Sequence, residues 1–539
     1  MNKIKTPMIM IITAGLLYYF MLPAINIHDI KMWVCLLILI GEFIVLTYGR
    51  ELEKTINTLS RQRFVKVKTD LPKPLLICLI LVCLIIVYMV VTPFIFSPLF
   101  MAGRYANRIE VRDVGFDEIP PYNFNTTAII DRDSASNLGD KVMGQMTDLV
   151  SQFVVSNEYS QIDYKQGTYR VTPLAYDGII KYFRNKSEGV PGYIVVNTTT
   201  GETVLNRLEK KMKYVPSAYF NENLMRKLRF AYPFEIFSEP SFEIDEDGNP
   251  YYVCTTYTYN GVSALRRVTG VILFDPVDGT SEKYDIDNAP TWIDRIYPES
   301  LINEELNDFG LYRNGFLNSF FGQEGVIQTS EGYNYISKEG DIWLYTGMTS
   351  IVSDQSNIGF ALVNLRTHEA QFITTSGADE YSVMASAEGE VLNYGYTATF
   401  PVLVNINSKP TYILSLKDSA GLVKMYALVD ARDYQQVYTV KADKDARAAI
   451  DELIRNAVGH IENAKIDDYF EKEITITQIK DIVIEGNTYY YLNSEDDLYI
   501  AKVDESLAID LVFANVGDKL LIQYYVEDDI NYISSIKKP

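Results

Sequence analysis

Three apolar runs open the chain, over residues 8–25, 32–48 and 75–92, and nothing else in the sequence restricts the fold as strongly. Each is close to the ~17–25 residues that carry a helix across a bilayer, where every backbone amide and carbonyl must be satisfied within the segment. The first run, preceded by Lys3 and Lys5, has some features of a signal sequence. Two further apolar runs follow it, however, and "LPAINIHDIK" is a poor cleavage region, so the run reads as a retained helix. The expectation is an anchor of three transmembrane helices over 1–97.

Orientation follows from the connections. "GRELEKTINTLSRQRFVKVKTDLPK" carries Arg50, Lys54, Arg61, Arg63, Lys66, Lys68 and Lys73 against Glu51, Glu53 and Asp70, whereas "INIHDIK" is nearly neutral. A short basic loop stays on the cytoplasmic side. The N-terminus and loop 49–73 are therefore expected inside, and everything after about residue 98 outside. Leu52, Ile56 and Leu59 share one helical face of that loop, as in a helix lying on anionic lipid or in a solvated connector. Glu42 is the one ionisable residue within a span. A charge at bilayer centre costs ~2.5–3.5 kcal/mol on insertion scales, which makes Glu42 a candidate site. It is also near enough to the cytoplasmic end to reach the headgroups or to be protonated.

The net charge of −21 divides into +5 for residues 1–97 and −26 for the rest. So acidic an ectodomain repels phosphate backbones and argues against nucleic acid as a partner. Long domains translocate whatever their charge. Of the four cysteines, Cys35, Cys78 and Cys83 fall in the apolar runs and only Cys254 lies beyond them, so the ectodomain has no internal disulfide. The whole chain's 40 Tyr and 25 Phe against 3 Trp suit half-buried strands.

Four stretches of that ectodomain resemble one another: "GYIVVNTTTGETVL" from Gly192, "GVILFDPVDGTSEKYD" from Gly270, "GFALVNLRTHEAQF" from Gly359 and "MYALVDARDYQQVY" from Met425. Each reads as a strand, a turn begun by Asn197, Asp275, Asn364 or Asp430, and a returning strand, because Asn and Asp bond their own backbone and start turns. "PSAYFNENLMRKL" from Pro216 and "PESLINEELNDFG" from Pro298 align without gaps and read as helix starts. "DKDARAAIDELIRNAV" sets Ala446, Ile450, Leu453 and Ile454 on one helical face. The expected fold is therefore an N-terminal α-helical transmembrane segment followed by an α+β ectodomain of repeated antiparallel β-hairpin/helix units. The units are placed at 98–230, 231–345 and 346–470, the last holding two hairpins and a helix. Five short strands in 471–539 read as a small C-terminal β-barrel of the OB or SH3 kind, serving as a cap or protein contact.

Hairpins with "TTTGETV" or "DPVDGTS" at the tip resemble PepSY-like modules of secreted and membrane-anchored bacterial proteins. The resemblance covers some 15 residues per unit. It implies small extracytoplasmic α+β units that serve as pro-segments or regulators of hydrolases, and it supplies no site residues.

Chemistry has little material. The three histidines, His28, His368 and His460, have no metal or triad spacing, and His368 reads as an exposed turn residue. No phosphate-binding glycine loop and no GxSxG occurs. Cys254 reads as a small core hydrophobe. Asp245, Asp247 and Asn249 around Gly248 are Ca²⁺ candidates, although a run of that kind is first a hairpin signal. Glu495, Asp496 and Asp497 form a second acidic run. In "PTWIDRIYPE", Trp292, Asp294 and Arg295 form either a ligand groove or a packed strand-to-helix joint with an Asp–Arg pair. No cofactor is indicated. The expected role is non-enzymatic: a multi-pass membrane protein displaying an extracytoplasmic domain that binds or scaffolds a protein partner or envelope polymer. The alternatives are a PepSY-like regulator of an envelope protease or wall hydrolase, and a wall-polymer hydrolase working through two carboxylates.

Overall fold

The computed structural model describes residues 5–61, 72–458 and 470–537, apart from 120, 125, 166, 331, 351–352, 375–376, 408, 443–445, 485–486, 495–496, 503–513 and 528–529. The chain forms two compact units, 1–437 with 441–446, and 438–440 with 447–539.

The first unit opens with helices α1 (Lys5–Met21), α2 (Ile30–Arg61) and α3 (Lys73–Ile95). Two of them, α2 over Ile30–Gly49 and α3, are long and apolar enough to cross a bilayer. Three such helices were expected, and α1, at 17 residues, spans only about 25 Å. It stops at Met21 because Leu22 takes a left-handed φ of 49° and Pro23 follows, a pair that cannot prolong a helix. Many apolar side chains of the three helices face outward, Ile11 at 72% exposure among them. Thr13 Oγ1 donates to Glu42 Oε1 at 2.8 Å, which joins α1 to α2, and Trp33 meets Tyr88 at 5.1 Å between α2 and α3.

The α1–α2 connection lies on the sheet-bearing part of this unit. Arg229 Nε donates to Leu22 O at 3.0 Å, Ile25 N to Pro233 O at 2.7 Å, and Asn26 Nδ2 to Phe234 O at 3.1 Å. Val262 N donates to Thr92 Oγ1 near the end of α3. Met21, Ile30 and Ile95 therefore mark the ends that meet the sheets, and α2 runs antiparallel to its neighbours. Helix α4 (Pro98–Ala106) follows α3 directly.

Beyond α4, four sheets share one strand order. In the first, Phe153–Val155 and Ser160–Tyr164 pair with successive parts of Gly167–Tyr176, which pairs with Val190–Asn197, which pairs with Thr203–Met212. The second repeats this with Ile236–Phe237 and Ser241–Ile244 on Pro250–Thr258, then Arg267–Phe274 and Ser281–Asp285. The third uses Ile327–Thr329 and Asn334–Lys338 on Asp341–Ser350, then Ser353–Asn364 and Ala370–Ile373, with Val111–Val114 added in parallel at the edge. The fourth has Thr397–Ala398 and Val402–Ile406 on Lys409–Lys417, then Val423–Asp430. The chain next turns into Val437–Lys441, where the first unit gives way to the second.

A helix precedes each sheet: α5 (Arg132–Gln145), then, after α6 (Gly178–Asn185) within the first sheet, α7 (Leu224–Ala231), α8 (Glu299–Tyr312) and α9 (Glu380–Glu390). Asp131, Asn223 and Asp379 cap three of them, each accepting the backbone amide three residues on. Pro298 starts α8 as read from sequence, but the helix after Pro216 begins only at Leu224. Asn223 delays it by donating to Pro216 O and Ala218 O. The gapless match therefore set the first residue of α7 against the middle of α8.

The four hairpin tips are built alike. Asn197, Asp275, Asn364 and Asp430 each accept, at Oδ1, the amides two and three residues on, at 2.7–2.9 Å for the nearer of the two. Five residues before the first two lie Gly192 and Gly270, each at a register shift. A Cβ there would lie 2.1 Å from Asn206 O and 2.0 Å from Tyr284 O, so only glycine fits the bulge. Cores are shared between neighbouring sheets. Val171, Tyr193 and Ile194 pack with Phe242, Tyr252 and Phe274, and Val253 and Val271 pack with Leu344, Val363 and Leu301 of α8. The first three sheets do not bury their faces alone.

The second unit contains α10 (Ala446–Val458) and one six-stranded sheet of Phe470–Thr475, Lys519–Glu527, Ile530–Lys537, Asp497–Lys502, Asn487–Ser494 and Gln478–Ile484, in that spatial order. A closed barrel was expected here. The sheet is open among the described residues, because Phe470–Thr475 and Gln478–Ile484 stand at its two edges and pair with different strands, Lys519–Glu527 and Asn487–Ser494.

Candidate functional site

A cleft of about 450 Å³ in the first unit draws residues from all four sheet-bearing segments. Asp131, Arg132 and Asp133 come from the start of α5, and Glu158 and Tyr159 from the bend before Ser160–Tyr164. Arg170 comes from strand Gly167–Tyr176, Glu239 from the loop before Ser241–Ile244, and Arg295 and Glu299 from the entry to α8. Tyr333 and Tyr335 flank Asn334, and Phe400 closes the rim.

Most of these groups are tied to one another. Arg295 donates through Nε to Glu299 Oε2 at 2.9 Å, and Tyr335 Oη donates to Glu299 Oε1 at 2.8 Å. Lys417 Nζ holds Asp131 Oδ2 at 2.6 Å. Burial alone would raise the Asp131 carboxyl, but Lys417 and Ser134 outweigh it and hold the group below the usual carboxylate range. The Glu158 carboxyl is pushed up by burial and then by Glu239. Arg170 is held by no such partner. It is 6% exposed, its Nε has no partner, and among the described residues it makes no ion pair. Its guanidinium lies 5.7 Å over the Tyr335 ring, and burial pulls its pKa down. A buried cation without a counter-ion is unfavourable, and here it faces a cleft that a ligand can enter.

Glu243 and Asp294, beside the cleft residues Ser241 and Arg295 in the chain, form a nest of buried carboxyls. Asp294 N donates to Glu243 Oε2 at 2.9 Å, and Asp294 Oδ2 accepts from Asp163 N at 2.9 Å. Burial pushes Glu243 up to about 7 and raises Asp294 well above its ordinary range, with Glu243 adding to the shift.

The structure separates the residues grouped in sequence. Asp294 and Arg295 do not pair: Asp294 points into the carboxyl nest, Arg295 lines the cleft on Glu299, and Trp292 packs on Tyr251 at 5.2 Å. Asp245 accepts the amides of Asp247 and Asn249 and the Asn249 side-chain amide, closing a hairpin turn. Among the described residues no group of three or more His, Cys, Asp or Glu side chains is arranged to hold a metal ion. Glu42 is engaged by Thr13, far from the cleft. His368 is not the exposed turn residue expected. Its ring stacks on Tyr297 at 4.2 Å and its Nε2 lies 2.7 Å from Glu305 Oε2. Cys254 is fully buried, as a core residue should be. His460, Glu495 and Asp496 lie outside the described residues.

Sequence reading missed Arg170 and Glu243. Both stand within strand runs whose neighbours are buried, "YRVTPL" and "SFEI", and a charge at such a place was the available signal. Compared with protein-family models and with curated proteins, the chain matches none.

Proposed function

We propose that this is a membrane-anchored extracytoplasmic protein whose repeated sheets bind a partner at the cell envelope, without catalysis, through the Arg170 cleft. The partner is a protein or an envelope polymer bearing an acidic group. The observation that carries this is Arg170 itself, a buried guanidinium that lines an open cleft, leaves its Nε without a hydrogen-bond partner and makes no ion pair among the described residues. The multi-pass anchor is supported by the outward-facing apolar surface of α1–α3 and by the basic loop 49–73, which keeps that side in the cytoplasm. Control of an envelope protease or wall hydrolase is the form of binding that the PepSY-like hairpins favour.

The test is in-cell photo-crosslinking from a benzoylphenylalanine placed at Tyr333, on the cleft rim. Adducts that vanish in an Arg170→Met variant support the reading. No adduct, or the same adducts with Arg170→Met, contradicts it.

One observation favours a second reading as a carboxylate-based wall-polymer hydrolase: Glu158 and Glu239 line the same cleft, and Glu158 is shifted toward its protonated form. Release of muropeptides by the purified chain, lost in Glu158→Gln, would support it over binding alone.

A further inference from the structure

Two apolar arms flank the place where α1–α3 meet the sheets. The first is formed by α6 and α7. Tyr18 and Tyr19, at the end of α1, meet Phe230 at 5.6 and 6.4 Å, and Arg226 lies 4.1 Å over Tyr19. Beside them Ile180, Phe183, Phe220 and Phe234 are exposed, Ile180 at 77%. Apart from the buried Arg229, helices α6 and α7 contain Lys181, Arg184, Arg226 and Lys227 and no acidic residue, within an ectodomain that carries −26.

The second arm descends from α8. Arg108, just past α4, pairs with Glu304 and Asp308, and Tyr105 meets Tyr312 one turn further along α8. Helix α8 therefore runs antiparallel to α4, back toward the end of α3. Beyond it a row of rings continues, Tyr312 to Phe316 to Phe320 to Phe321, and Phe321 is 84% exposed. On the α3 side Phe94 and Phe100 are exposed as well and touch at 5.2 Å.

We infer that both arms rest in the headgroup layer of the leaflet on the sheet side of the membrane, so that the ectodomain lies on the bilayer rather than standing clear of it. Their apolar side chains continue the lipid-facing surface of α1–α3. Trp33 and Tyr88 mark the interface level within those helices, as aromatic belts do. The pairing of large apolar residues with lysine and arginine on α6 and α7 is the composition of interfacial helices, and it matches anionic lipid. This inference rests on the membrane reading proposed above.

The test uses the full chain in nanodiscs of phosphatidylcholine and phosphatidylglycerol with brominated acyl chains, which quench tryptophan on contact. Fluorescence gained over the wild-type chain is measured for Phe321→Trp, Ile180→Trp, Ile80→Trp in α3, and Tyr434→Trp at the tip of the fourth hairpin. Quenching of Phe321→Trp and Ile180→Trp close to that of Ile80→Trp, with Tyr434→Trp unquenched, is expected. Quenching of Ile80→Trp alone overturns the inference and leaves the anchor intact. An unquenched Ile80→Trp overturns both.

Discussion

The backbone amide of Asp294 donates to Glu243 Oε2 at 2.9 Å, so the buried Glu243 carboxyl is held on a backbone segment 51 residues away, and its charge adds to the upward shift of the Asp294 carboxyl. The Glu243 carboxyl is pushed up to about 7 from an ordinary 4.5, by burial first. The folded state therefore keeps a proton that the unfolded chain loses near pH 4.5. Stability falls as pH rises from about 4.5 to 7 and flattens above that, by on the order of 3 kcal/mol for Glu243 alone. Asp294 shifts in the same direction. Glu243→Gln should raise the thermal midpoint at pH 8 and flatten its decline between pH 5 and pH 8. A decline as steep as that of the wild type would refute the assignment.

Arg170 should cost stability while it serves binding. Replacing a buried cation that makes no ion pair among the described residues by an apolar residue of similar length removes a desolvation penalty, so Arg170→Met is expected to stabilise the chain by about 1–3 kcal/mol. The same change should abolish crosslinking from Tyr333. A destabilised variant in denaturant unfolding would mean that the guanidinium has a structural partner.

Arg229 closes the joint between the N-terminal helices and the sheets. It is 7% exposed, and it donates to Leu22 O, Tyr232 O and Glu235 O. Arg229→Met takes this donor from Leu22 O and Glu235 O, at roughly 1–3 kcal/mol for each that stays dry, while Tyr232 O keeps the Glu235 amide. Protease sensitivity within residues 22–29 should rise several-fold in detergent, and an unchanged cleavage rate would show that the joint holds without this side chain.

The bulge glycines give a sharper contrast. Gly270→Ala puts a methyl 2.0 Å from Tyr284 O and should destabilise by more than about 2 kcal/mol. Gly144→Ala in α5 meets nothing within 4 Å and should be neutral or stabilising by up to about 1 kcal/mol. Urea midpoints of the two variants decide this, and equal midpoints would count against the bulge geometry.

These contrasts follow what the sequence made legible. A continuous apolar run closed by Asn or Asp announced the four repeated hairpins, because the turn is made by that residue's own side chain and needs no distant partner. Glycines five residues upstream at Gly192 and Gly270 were visible, but their reason, a carbonyl on the returning strand, was not. The cleft escaped altogether. Arg170, Glu239, Arg295 and Tyr335 are far apart in the chain and are joined only when the sheets pack in succession. The neighbouring pair Asp294 and Arg295 misled for the converse reason, since adjacent side chains there point to different places. The end of α1 turned on Leu22 and Pro23, two residues inside an otherwise apolar run.

The placement of the sheets outside the cytoplasm underlies the proposed function, and impermeant-maleimide labelling of intact cells tests it most directly. Thr200→Cys and Asp433→Cys each add one thiol at an exposed hairpin tip, while Cys254 stays shielded in the core, and labelling is read against the wild-type chain with its four cysteines. Labelling of both variants without lysis is expected, with Ser60→Cys in the basic loop labelled only after lysis. The reverse pattern, Ser60→Cys labelled in intact cells and the hairpin tips only after lysis, would contradict the proposal.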